Sequence, residues 1–179
     1  MSRCFVALEL DAESLALCAE AQRAIDPLGA RKTKPESLHV TIKFLGEVSV
    51  ESARAVLDAL HAFAGTKAPD LGVAKLDAFP TPARGKIVVL SCADPTGAAF
   101  AIAKRADEAA FELASVEREE RAFRTHVTLA RSRSAVDVRA IAKRFGDRAC
   151  GHATRIVLYE SALGPEGPKY TELGAHVFS

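Results

Sequence analysis

At 179 residues the chain has the size of one domain, or of two small lobes sharing a groove. Lys+Arg 24 against Asp+Glu 23 leaves a formal net charge of +1, which excludes a global basic field for nucleic acid or an anionic membrane. Any polyanion must be met locally, by a few placed groups.

Hydrophobic residues make up 49% of the chain, enough for a substantial core, yet no apolar run approaches membrane-spanning length. The opening run "MSRCFVALEL" reaches Glu9 too early for a signal-peptide core. Cys4, Cys18, Cys92 and Cys150 lie far apart with no C-x-x-C pair, which argues against a disulfide framework and a cysteine-rich zinc site. A cytoplasmic, reducing setting is the expectation.

In chain order, "RCFVALEL" predicts a strand and "DAESLALCAEAQRAI" a helix, with Asp11 or Ser14 available as its cap. "DPLGARKTKPES" breaks the pattern with Pro and Gly and brings Arg31, Lys32 and Lys34 into a loop. "SLHVTIKFLG" follows as a strand. Its period-two alternation sets a polar column, His39, Thr41 and Lys43, against an apolar one, Val40, Ile42 and Phe44. Burial of the apolar column fixes the register and holds His39 and Thr41 side by side.

"SVESARAVLDALHAFA" predicts a second helix capped by Ser49, "LGVAKLDAF" and "KIVVLSC" a pair of strands, and the alanine-rich "DPTGAAFAIAKRADEAAFELAS" a long helix. From Phe123, "VEREERAFRTHVTLAR" becomes strand-like and repeats the earlier pattern. His126 and Thr128 share one face, Val127 and Leu129 the other. A short helix "AVDVRAIAKRF", a strand "GHATRIVLYESAL", a turn "GPEGPK" and a last strand "YTELGAHVF" close the chain. Strands joined as hairpin partners and mixed with helices predict an α+β fold with antiparallel pairing. No linker divides residues 1–179, so one two-lobed unit is expected.

The tripeptide H-V-T thus occurs twice, close to half the chain apart, as a degenerate internal duplication would place it. Two imidazoles across a groove form an acid–base pair near neutrality, and two threonine hydroxyls offer donors to a phosphate between them. A third H-x-T, His152–Thr154, lacks the apolar-to-arginine ending and stands at the start of its strand, so it is left outside the site. His61 is read as helix decoration, and no H-E-x-x-H or comparable metal-ligand spacing is present.

H-V-T-I-K-F-L-G and H-V-T-L-A-R resemble the paired H-x-T-x motifs of the two-histidine phosphoesterases, in particular the RNA 2′,3′-cyclic phosphodiesterases also called 2′-5′ RNA ligases. The flanking "RCFVALEL" and "ESAL…GPKYTEL" also lie where that family would place them. The resemblance implies a bilobal α+β fold with pseudo-twofold symmetry, antiparallel sheets lining a central groove and helices outside. It implies no metal, and hydrolysis of a 2′,3′-cyclic phosphate end on RNA to a 2′-phosphate; no cofactor and a monomer are the accompanying expectations.

Carried over by position, His39, Thr41, His126 and Thr128 form the catalytic quartet and Arg131 adds a phosphate contact. Strict alternation points Arg131 away from His126, so the chain must bend after Leu129. His126 is assigned as base and His39 as acid, with the near symmetry of the two motifs leaving the exchanged assignment open. Arg31, Lys32, Lys34, Lys43, Arg124 and Arg133 gather near the motifs as suits an RNA end, and Phe5 or Tyr170 could stack on its base. The alternatives are a relative acting on 2′-5′ linked oligonucleotides or small cyclic nucleotides, and an RNA-end-binding module without turnover.

Overall fold

The computed structural model describes residues 1–179. β1 (Ser2–Leu10) runs into α1 (Ala12–Ala24), whose first turn is capped by Asp11: the carboxylate accepts the Ser14 N–H at 2.8 Å. After the two-residue β2 (Arg31–Lys32) come β3 (Val40–Val48) and α2 (Val50–Asp58), capped by Ser49. The second helix is shorter than predicted, and His61 falls on an exposed turn of 3₁₀ helix, His61–Phe63.

β4 (Val73–Phe79), β5 (Gly85–Cys92), α3 (Ala98–Ala114) and β6 (His126–Val136) follow, then α4 (Arg139–Phe145), β7 (Arg148–Ala149), β8 (Ala153–Gly164) and β9 (Gly167–Val177). α3 starts later than expected because the Asp94 carboxylate accepts the N–H groups of Ala99 and Phe100 and so caps the helix from outside. No helix is long and apolar enough to cross a membrane.

The fold is α+β with antiparallel pairing, as expected. All nine strands, however, join one sheet in the order β7-β4-β5-β6-β3-β1-β8-β9, with β2 on β6. Its two halves repeat a strand–helix–strand–helix unit, β1-α1-β3-α2 and β5-α3-β6-α4. The two motif strands, β3 and β6, meet through a single residue pair, Val40 with Val127, and β2 adds Arg31 and Lys32 against β6. Each long helix packs behind the other half's motif strand: α1 lies against β6, and α3 against β3.

One contiguous core fills the space between the sheet and these helices. Phe5, Ala7, Val89 and Val157 are also buried but stand apart from that core. They alternate with core residues along β1, β5 and β8, so they belong to the sheet's other face. There they floor the groove in which the site lies.

Candidate active site

The pair Val40↔Val127 is antiparallel, so its register, continued one residue each way, sets His39 across from Thr128 and Thr41 across from His126. A local twofold axis through this one contact generates the quartet. The strand pairs flanking it agree: Thr41 lies opposite Ala7, and Thr128 opposite Val89, both floor residues. The structure therefore brings His39, Thr41, His126 and Thr128 to one face.

The two histidines are held alike. His39 Nδ1 lies 2.8 Å from the Ser37 carbonyl and His126 Nδ1 2.7 Å from the Arg124 carbonyl, in each case two residues upstream. A carbonyl only accepts, so each Nδ1 carries a proton and each neutral ring presents Nε2 as the basic nitrogen. His39 Nε2 sits 3.0 Å from the Thr41 hydroxyl. A phenyl ring flanks each imidazole, Phe5 with centroids 5.1 Å apart and Phe79 at 5.1 Å.

Burial lowers the pKa of both rings from the ordinary histidine value, opposed by the carbonyl at Nδ1, which favours the imidazolium. The charge of His126 depresses His39 further, and the guanidiniums of Arg124 and Arg131 depress His126. The pair is thus biased toward the neutral state. A negative charge beside the rings favours the imidazolium and so opposes that bias.

Arg131 reaches the quartet through the bend the sequence demands. Between Thr128↔Val89 and Ala130↔Val88, β6 carries one residue more than β5, a β-bulge at Leu129. Leu129 and Ala130 are consequently both buried, and Arg131, opposite Ile87, returns to the face of Thr128. β3 bulges at the equivalent place, Ile42, between Thr41↔Ala7 and Lys43↔Val6. A second irregularity follows at Leu45, where Gly46 supplies a φ of +70°.

This first bulge overturns the two columns read from "SLHVTIKFLG". Lys43, expected beside Thr41, turns to the helix side, where it is 8% exposed and donates to Asp107 at 2.7 Å and to the Glu117 carbonyl at 2.9 Å. Phe44, expected in the core, stands 60% exposed on the groove face opposite Phe5. It occupies the place in β3 that Arg131 has in β6. Phe44 also lines a hollow of about 530 Å³ with Val116–Arg121, and alternation alone would never have found it.

Of the two aromatics named for stacking, Phe5 is 2% exposed and unavailable to a base. Tyr170 remains half-buried, edge-on to Phe5 at 4.9 Å and to His39 at 5.6 Å. Tyr159, beside both, donates to Glu9 at 2.5 Å; Arg155 bridges Glu9 and Glu172, a network sequence reading missed. Arg124 lies over Phe79 at 4.8 Å and beside Asp77.

Lys32 pairs with Asp26, and Arg31 donates to the Glu166 carbonyl at the β8–β9 turn. His152 sits at the start of α1, where its N–H donates to the Asp11 carboxylate. No three His, Cys, Asp or Glu side chains converge as a metal-binding group would require.

A family profile described as LigT like phosphoesterase matches residues 8–89. Over 150 residues, 80% of this chain and 83% of the relative, the sequence is 30% identical to an RNA 2′,3′-cyclic phosphodiesterase of Aeropyrum pernix. It is 28% identical over 153 residues to the protein of the same name from Archaeoglobus fulgidus, covering 81% and 82% of the two chains. A crystal structure from Thermus thermophilus superposes with a TM-score of 0.76 at 26% identity, over 98% of this chain and 97% of that one.

Proposed function

This chain belongs to the LigT-like, two-histidine phosphoesterases, and on that premise we propose that it hydrolyses the 2′,3′-cyclic phosphate at an RNA end to a 2′-phosphate without a metal ion. The two curated relatives named above are RNA 2′,3′-cyclic phosphodiesterases, which supports the substrate class.

The observation that carries the reading is the matched pair of imidazoles. Each is locked through Nδ1 to a carbonyl, so that Nε2 faces a groove bearing two threonines and an arginine. His126 Nε2 takes a proton from water as its oxygen attacks phosphorus in line with the P–O3′ bond. That bond breaks, and O3′ receives its proton from the imidazolium of His39 through Nε2–H. Electrons and protons balance: His126 ends protonated, His39 neutral, and exchange with water resets both.

Thr41 and Thr128 donate to the non-bridging oxygens, where charge grows in the transition state, and Arg131 holds the phosphate in ground state and transition state alike. While the groove is empty the neutral Nε2 of His39 accepts the hydrogen of the Thr41 hydroxyl at 3.0 Å; once the ring is an imidazolium, the same Nε2 carries the hydrogen that passes to O3′. Phe44 offers an exposed ring and Tyr170 an edge to the terminal base, which single-stranded RNA commonly stacks on an aromatic face.

The test is to resolve the product from a short RNA with a 2′,3′-cyclic end in the presence of EDTA. A 2′-phosphate formed at the chelator-free rate is expected. A 3′-phosphate overturns the assignment of the leaving oxygen, and activity lost on chelation and restored by zinc or manganese overturns the metal-free mechanism.

A further inference from the structure

We propose that Gln22 is a positioning residue for the phosphate contact: from α1 it pins the β6 bulge at Leu129 and thereby keeps Arg131 on the groove face. The inference rests on the reading of Arg131 given above. The observation behind it is a carbonyl served twice. Gln22 Nε2 donates to Leu129 O at 3.0 Å and to Thr33 O at 2.8 Å, while the Thr33 N–H donates to the same Leu129 O at 2.8 Å.

The bulge leaves Leu129 fully buried and without a partner on β5; its carbonyl is met on the other side by the Thr33 N–H, which continues the β2 register, and by Gln22. A carboxamide carries two N–H groups on one nitrogen and can satisfy two carbonyls at once. Gln22 is 8% exposed, and a glutamine on the inner face of a helix otherwise has nothing to recommend it over leucine. It lies in the last two turns of α1, the helix that packs behind β6 from the opposite half.

The other half carries a counterpart. There β3 is tied just past its own bulge, through Lys43, to Asp107 of α3. Each motif strand is thus bent after its H-V-T, with a polar side-chain contact to the other half's helix beside the bend. Without the tether β6 can recover a regular pleat, and a slip of one residue carries Arg131 to the opposite face.

The experiment compares wild type with Gln22→Met, which keeps the volume and removes the donors, in the natural and the Arg131→Ala backgrounds. With a cyclic-phosphate-ended dinucleotide, Gln22→Met should raise KM about tenfold, leave kcat within about twofold, and add nothing once Arg131 is alanine. In parallel, NMR titration of the His126 ring reads the position of the guanidinium without any substrate. Gln22→Met and Arg131→Ala should each raise its pKa, and the double variant no further than Arg131→Ala alone.

An equal rise in KM in both backgrounds, or an unmoved His126 titration in Gln22→Met, overturns the proposal. Should Gln22→Met not fold, Gln22→Asn keeps an amide one methylene short and must shift the titration in the same direction. If wild type fails to turn over the dinucleotide, the functional reading falls, while the titration still decides the role of Gln22.

Discussion

Replacing Lys43 by methionine separates the bulged strand from the straight one. In the structure the Lys43 ammonium is buried, bonded to Asp107 at 2.7 Å and to the Glu117 carbonyl at 2.9 Å. Methionine fills much of the same stem volume and makes neither bond. Hydrogen bonds to charged groups are worth about 1.5–3 kcal/mol each on removal, and abandoning one partner of a buried pair costs about 3–5 kcal/mol. Asp107 keeps Arg118 at 2.6 Å and the Glu119 N–H at 2.9 Å, however, so it is not left bare.

The expected loss is therefore about 2–3 kcal/mol. At an m-value of about 2 kcal/mol/M the urea midpoint falls by about 1–1.5 M. The gap between wild type and variant has a pH signature. Lys43, Glu119 and Arg118 hold the Asp107 pKa below its ordinary value against the effect of burial, so this stability is complete above the unfolded value of about 3.9 and is lost as pH falls through the native one. The two urea midpoints should converge below about pH 4.

Because Lys43 points away from the groove, KM and kcat of the folded variant should stay within about threefold of wild type. Straight alternation predicts the reverse, an exposed lysine beside Thr41 whose loss costs under about 0.5 kcal/mol and weakens substrate binding. A midpoint shift under about 0.3 M together with a several-fold rise in KM would refute the bulge argument.

His39→Ala and His126→Ala should each lower kcat roughly 10²- to 10⁴-fold, with the double variant far short of the product of the two losses, as single-turnover rates will show. His152→Ala, beside Asp11, should leave kcat unchanged; a loss matching the motif histidines would move the site. Because burial holds both motif imidazoles low, the bell of kcat/KM should centre below about pH 6.5, and bound phosphate, favouring the imidazolium, should displace the kcat bell upward. Both native values lie under the unfolded one, so the unfolded chain binds more protons as pH drops past about 6.5, and this contribution lowers stability from there down to the native values. Arg131→Ala should raise KM more than it lowers kcat, and Arg131→Lys should recover only part of the loss, since an ammonium cannot reproduce a planar fork of donors. Full recovery by lysine would reduce Arg131 to a source of positive potential.

The two H-V-T strands were legible from the residues alone, because a buried apolar column beside a polar one leaves a strand a single register. The caps at Asp11 and Ser49 were legible for a similar reason: each bond spans three residues and needs nothing distant. Beyond Thr41 and Leu129 the local pattern stops deciding, since which way a residue faces after a bulge depends on the neighbouring strand and on the donors waiting behind it. Lys43 could turn inward only because Asp107, 64 positions away, is there to receive it. Leu129 could bulge out of the β5 ladder because Thr33, just past β2, and Gln22, 107 positions away, serve its carbonyl. Phe5 reads as a free aromatic until Tyr159, Tyr170 and Phe44 close around it. β2 and β7, two residues each, are too short to carry any alternation and exist as strands only through their partners. The sequence by itself determined which side chains could do the chemistry; the pairing of Val40 with Val127, a long-range contact, decided that they meet.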